Sequence, residues 1–172
     1  MQSVKKNFSI KSFLFLILSL IYIISIFFVV SLLSFNSSDK SWSQASNSDI
    51  VNNLCGSLGA WVADIFFSFF GIIAFTFSPL LIFIFLNIYK KLKKNGFIDF
   101  FYLVKTLVYI IIFIITSCGL ISLIFNDFKT FHYGGIIGDI LINILLIYFD
   151  LLKIILILLF FFIISIIQLF YL

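Results

Sequence analysis

The chain alternates between long apolar runs and short polar breaks, and the runs have the length of membrane helices. Phe13 to Leu33 is 21 residues without a charge. At 1.5 Å per residue it covers about 30 Å, the thickness of a bilayer's hydrocarbon core. A short tail, residues 1–12, carries Lys5, Lys6 and Lys11 ahead of it. A basic flank before an apolar run also suits a signal peptide, but this run exceeds the usual length and no small-x-small cleavage site ends it. A polar stretch from 34 to 56 follows, holding Trp42 and the turn-forming run Asn36-Ser37-Ser38-Asp39. A second span covers 57–89, and a basic loop covers 90–102 with Gly96 as the helix stop. The third span is 103–125, and a second polar loop, 126–135, holds the only histidine, His132. From Ile140 the chain stays mostly apolar for 33 residues, too long for one crossing, and Asp150 with Lys153 divides it. That division predicts an interfacial amphipathic helix at 136–149, with Asp139 and Asn143 at i and i+4 on its wetter side, and a fourth span at 151–172. The expected fold is all-α: a polytopic membrane protein with four transmembrane helices and a short interfacial helix.

Composition agrees with this pattern and removes the soluble alternative. The chain is 63% apolar and 10% charged, with 26 phenylalanines. A soluble domain of 172 residues could not hide them, whereas lipid needs no protein core to cover them. All basic residues are Lys and all acidic ones Asp, with heavy use of Ile, Phe and Asn. Such usage matches an A+T-rich genome and makes Gly, Ala, Trp, Pro and Cys the informative residues.

The lysines set the expected orientation. With the N-terminus inside, Lys5, Lys6, Lys11, Lys90, Lys91, Lys93, Lys94 and Lys105 lie inside, against Lys40, Lys129 and Lys153 outside. Eight against three is a positive-inside bias, so both termini are expected in the cytoplasm and both polar loops outside it. The formal charge of +4 therefore orients the chain and implies no direct contact with nucleic acid.

Within the second span, Gly56 and Ala60, and Gly59 and Ala63, put small residues on adjoining helical faces. In lipid such faces let helix backbones approach closely, so this end is the expected packing surface, with Trp61 beside it. Pro79 should kink the same span, with Thr76 or Ser78 satisfying a freed carbonyl. Trp42 is the expected interfacial anchor. Asp64 has two readings: a carboxylate reaching up to headgroups, or a polar contact with His132, Lys153 or a neighbouring subunit. Gly134 and Gly138 form a GxxxG pair, read as a tight turn into the interfacial helix ahead of a dimer face.

Little else in the chain suggests chemistry. None of the eight glycines is followed by Lys, so no phosphate-binding GxxxxGK[ST] loop exists. One histidine makes no multi-histidine metal site, and Cys55 and Cys118, 63 positions apart, form no ligand pattern. The mid-membrane positions carry Ser and Thr but no charge, which argues against a conduction pathway. Neither a cofactor nor a metal nor a catalytic residue is expected.

Four stretches carry a resemblance. They are LLSFNSSDKSWSQ (32–44), GAWVADIFFSFFG (59–71), TSCGL (116–120) and GGIIG (134–138). In that order and spacing the chain resembles the N-terminal four-helix membrane domain of the FtsK/SpoIIIE family. Trp42, Gly59, Trp61, Ala63 and Asp64 fall on that family's motif positions. The resemblance implies a septal membrane anchor that oligomerises, as a hexamer, and joins other division-complex membrane proteins. In the family a linker and a RecA-like ATPase pump DNA; this sequence ends at Leu172 without either, or a DNA-reading winged helix. Three readings stay open: the membrane part of a longer or split gene product, a reduced genome's division factor, or a gene remnant. The function expected is a non-catalytic septal scaffold that oligomerises through the second span and outer loops. The rival is a small four-helix transporter or channel subunit.

Overall fold

The computed structural model describes residues 2–43, 51–95, 100–125 and 133–171. His132 and Lys129 lie outside them. The described residues form helices and turns: α1 (Gln2–Leu33), α2 (Gly56–Phe70), a 3₁₀ turn (Gly71–Thr76), α3 (Phe77–Asn95), α4 (Phe100–Ile124), α5 (Gly135–Tyr148) and α6 (Leu151–Tyr171). Four stretches are long and apolar enough to cross a membrane: Leu16–Leu33, Gly56–Lys93, Phe100–Ile124 and Leu151–Tyr171. The chain is a multi-pass membrane protein.

Helix α1 contains no glycine or proline, so nothing in its backbone interrupts it. It ends where serine and asparagine begin to compete for backbone groups. The Ser34 hydroxyl donates to the Val30 carbonyl at 2.7 Å, and Asn36 Oδ1 accepts from the N–H and hydroxyl of Ser38.

The second candidate span is bent rather than straight. Phe66 and Phe77 stand eleven positions apart, about 16 Å on a straight helix, yet their ring centroids are 5.0 Å apart. Phe67 and Phe75 meet likewise at 5.6 Å. The chain therefore folds back at the 3₁₀ turn, and α2 crosses the end of α1 while α3 runs down its side. Ser31 of α1 meets Gly59, Phe28 meets both Phe66 and Phe77, and Ser25 meets Ser78.

This locates the interruption differently from the sequence expectation. The break lies at Gly71–Thr76, ahead of Pro79. Pro79 is the third residue of α3, in a first turn where a missing N–H costs little. Thr76 donates to the Ile73 carbonyl at 2.7 Å within the turn, whereas Ser78 donates across to the Ser25 carbonyl of α1 at 3.1 Å.

The other half pairs α4 with α6, antiparallel, and lays α5 across one end. Phe113 stacks on Phe162 at 5.5 Å, and Ile142 of α5 forms a buried cluster with Ile154 and Leu158 of α6. Along α6 the stripe Ile154, Leu158, Ser165 and Leu169 is buried, while Leu152, Leu156, Phe160, Ile163, Ile167 and Phe170 stay exposed. A helix apolar on every side is stable only where its outer face meets lipid. Phe83 of α3 meets Phe170 of α6 at 6.0 Å, closing the bundle at the end away from α2 and α5.

Candidate functional site: a polar clasp and a glycine crossing

At the end of the bundle capped by α2 and α5, an apolar chain concentrates its hydrogen bonds. Asp39 is fully buried, at 0% exposure, and accepts three of them: from the Asn52 N–H at 2.8 Å, the Asn52 side-chain amide at 3.0 Å and the Asn53 N–H at 2.9 Å. Asn53, also buried, turns its amide the other way. Its Nδ2 donates to the carbonyls of Ser31 at 2.9 Å and Ser34 at 3.2 Å, which the end of α1 leaves without helical partners. Its Oδ1 accepts the Cys55 N–H at 3.0 Å, just before α2 begins. Ser31 completes the joint by donating to the Gly59 carbonyl at 2.5 Å. One aspartate and one asparagine thus fasten the two ends of the polar loop to α1 and α2.

Asp64 holds the loop from below. Buried to 3% exposure, it accepts from the Ser43 N–H at 2.6 Å and the Ser43 hydroxyl at 2.7 Å. Trp42, one residue earlier, stacks on Phe69 at 5.7 Å between centroids and remains 50% exposed. Asp64 therefore does not reach outward to headgroups. Nor does it meet Lys153, which pairs with Asp150 at 2.9 Å; a contact with His132 lies outside the described residues. Its partner is the loop itself, a third possibility that spacing along the chain does not expose.

The small residues of α2 serve the same joint. Gly59, Ala60 and Ala63 are buried against α1 within one chain, and a Cβ on Gly59 would overlap Asn53 and Cys55. Gly56 opens α2 at φ +68 with open space around it. Trp61, at 46% exposure, faces outward with Leu58.

The second part of the site is where the two halves of the bundle cross. Gly71 stops α2 at φ 57 and ψ −138, a conformation that side chains rarely adopt. A Cβ there would overlap the Tyr133 carbonyl, and one on Gly135 (φ 66) would overlap the Phe69 carbonyl. The Ile72 N–H donates to the Tyr133 carbonyl at 2.9 Å across this contact, so backbone freed by the break is satisfied by protein, as a lipid setting requires. Cys118 of α4 adds an Sγ contact to the Phe70 carbonyl at 3.7 Å.

Gly134 and Gly138 pack on α4 in the same chain, their Cα atoms facing Cys118 and Ser122 where no side chain would fit. Their spacing thus joins α5 to α4. Ser122 and Asp139 are hydrogen-bonded across that joint. Asp139 is half-buried toward α4 while Asn143 is exposed, so the two do not share a wet face. Among the described residues no three His, Cys, Asp or Glu side chains converge on a point that could hold a metal, and both cysteines are free.

Sequence reading singled out Gly59, Ala63, Asp64 and Trp42 but not Asp39, Ser43, Asn53, Gly71 or Gly135 as the joints. The loop residues were hidden by the Ser- and Asn-rich background. The two glycines had a signal, since each lies in a resembling stretch. The structure brings all four stretches together: 32–44 meets 59–71 through Ser43 and Asp64, 59–71 meets 134–138 through Gly71 and Gly135, and 116–120 meets 134–138 through Cys118.

The comparisons with known proteins point the same way. A family model described as the 4TM region of DNA translocase FtsK/SpoIIIE matches residues 12–172. The DNA translocase FtsK of Vibrio vulnificus is 36% identical over 128 residues, 74% of this chain and 13% of that protein. The Vibrio parahaemolyticus protein of the same name is 35% identical over 122 residues, 71% of this chain and 12% of that protein. That of Shewanella oneidensis is 29% identical over 128 residues, 74% of this chain and 14% of that protein. No solved structure matches the chain. The chain spans 12–14% of the length of these relatives. On the match across residues 12–172, the chain belongs to the family of the four-transmembrane region of the DNA translocases FtsK and SpoIIIE.

Proposed function

We propose that this chain is the membrane anchor and assembly domain of an FtsK-like cell-division and chromosome-segregation protein, non-catalytic in itself. The observation that carries the reading is the match of residues 12–172 to a transmembrane region, with DNA translocases as the curated relatives. The absence of a phosphate-binding loop and of charge at mid-membrane positions supports a scaffold over an enzyme or a transporter. The lysine distribution supports an orientation with both termini in the cytoplasm.

The assembly surface is the outward face of α2 and the turn before it, where Leu54, Leu58 and Trp61 are exposed beside the clasped loop carrying Trp42. The small-residue face of α2 is already occupied by α1 in the same chain, so self-association falls to these large apolar residues. Partners are further copies of the chain, a hexamer by resemblance, and other membrane proteins of the division complex.

A fluorescent fusion imaged in dividing cells tests the reading. A band at the septum and filamentation on depletion are expected. Uniform membrane distribution without a division defect would overturn it, as would ion flux or solute uptake by the purified protein in liposomes.

A further inference from the structure

The antiparallel pairing of α1 with α3 and of α4 with α6 divides the charges unequally between the two ends of the bundle. The end opposite the clasp receives Lys5, Lys6 and Lys11 from the start of α1, Lys90, Lys91, Lys93 and Lys94 from the end of α3, and Lys105 from the first turns of α4. Among the described residues no aspartate accompanies these eight lysines, whereas the clasp end has Lys40 and Lys153 against Asp39, Asp64, Asp139 and Asp150. The described charges thus sum to +8 at one end and −2 at the other.

Among the described residues no carboxylate pairs with Lys90, Lys91, Lys93 or Lys105; the ion pair of that set is Lys153 with Asp150 at the other end. Two of the lysines instead lie against aromatic rings. The Lys91 ammonium is 3.2 Å from the centroid of the buried Tyr102 ring, and that of Lys105 is 5.8 Å from Tyr109. A ring face attracts the cation but leaves its charge uncompensated. Phe100 and Phe101 stand beside them, among the most exposed side chains in the chain. Unpaired ammonium groups among exposed phenyl rings at the ends of membrane helices describe a surface lying at headgroup depth.

From this juxtaposition we infer that the lysine-rich end is a binding surface for the phosphate groups of anionic phospholipids, with Lys90, Lys91, Lys93 and Lys105 as its contacts. A lipid headgroup fits better than a nucleic-acid phosphate. Lys105 lies inside the candidate span Phe100–Ile124, and its neighbours Val104 and Val108 are exposed apolar side chains, a depth that duplex DNA cannot reach but a lipid phosphate can. The inference holds whether or not the chain acts at the septum, because it concerns the lipid of whichever membrane surrounds it.

The test uses the full chain in phosphatidylcholine vesicles containing a minority of spin-labelled phosphatidylglycerol or spin-labelled phosphatidylcholine. The fraction of each label immobilised at the protein is the readout. The anionic lipid is expected to associate at least about fivefold more strongly, the equivalent of one lysine near an anionic surface, with the preference falling at high salt. K90Q/K91Q/K93Q/K105Q should abolish the preference, and K40Q/K153Q should leave it unchanged. Should the quadruple variant not fold, K90Q/K93Q changes two exposed side chains and should weaken the preference by itself. Equal association of both lipids, an equal loss in K40Q/K153Q, or a preference unaffected by K90Q/K93Q would overturn the inference. So would duplex DNA binding to the lysine end that persists in vesicles rich in phosphatidylglycerol.

Discussion

Asp39 and Asp64 illustrate how far a single residue can be read without coordinates. Asp64 is conspicuous because it follows a Gly/Ala run in an apolar helix, whereas Asp39 is one polar residue among many. Yet Asp39 makes more contacts of consequence, accepting three hydrogen bonds while fully buried. Hydrogen bonds to a charged acceptor contribute about 1.5–3 kcal/mol each, and donors left buried without one incur a desolvation cost. Asp39→Ala is therefore expected to lower the melting temperature of the detergent-solubilised protein more than Asp64→Asn. The latter keeps the side chain's shape and loses one acceptor toward Ser43, about 1–2 kcal/mol. Ser43→Ala, which keeps the backbone bond, should be milder still. Equal effects of all three in a thermal melt would show that the loop is not held by this clasp. Sequence could not rank the two aspartates, since what separates them is the set of backbone donors aimed at each.

At the level of the elements, the all-helical fold and its four apolar stretches were legible, because lipid selects length and hydropathy directly. The bend was not. A proline inside an apolar run is the usual suspect for a kink, but here it stands in the first turn of α3, and the interruption belongs to Gly71. Gly71 had no mark in the sequence beyond its place at the end of a resembling stretch, because what demands glycine there is a carbonyl from a segment more than sixty positions away, at Tyr133. The two sites predict opposite outcomes. Gly71→Ala introduces a side chain at a positive φ, at about 1–3 kcal/mol from the backbone alone, and also collides with Tyr133. Pro79→Ala should change stability by less than about 1 kcal/mol, since it restores a donor in a first turn. Resistance to unfolding in denaturing detergent measures both; a proline variant more damaged than the glycine variant would contradict this placement of the bend. The GxxxG pair teaches a related lesson. Its spacing announces a close helix contact correctly but does not say whether the partner helix belongs to the same chain.

At the scale of the whole molecule, two half-bundles meet at one capped end and carry most of their lysines at the other. α1–α3 and α4–α6 each contain a short helix laid across the end of a longer pair, and Gly71 with Gly135 holds the two caps together. Composition told that the chain lives in lipid, and the lysine tally assigned an expected side to each loop. Neither could foresee that the four resembling stretches gather at a single end, because that follows from the fold-back of α2. The arrangement separates two tasks, which expects separable phenotypes. Disrupting the capped end should impair folding and assembly, whereas neutralising the lysine end should leave a folded protein with altered lipid preference.

The clasp also has a consequence for the segment it encloses. Ser43 is tied to Asp64 and Asn52 to Asp39, so the chain between them enters and leaves at fixed points. A short epitope inserted between Ser38 and Asp39 would separate the buried carboxylate from the turn that aims it at Asn52 and Asn53, and should lower the melting temperature sharply. A label meant to report which side of the membrane the capped end faces therefore belongs away from the residues of the clasp.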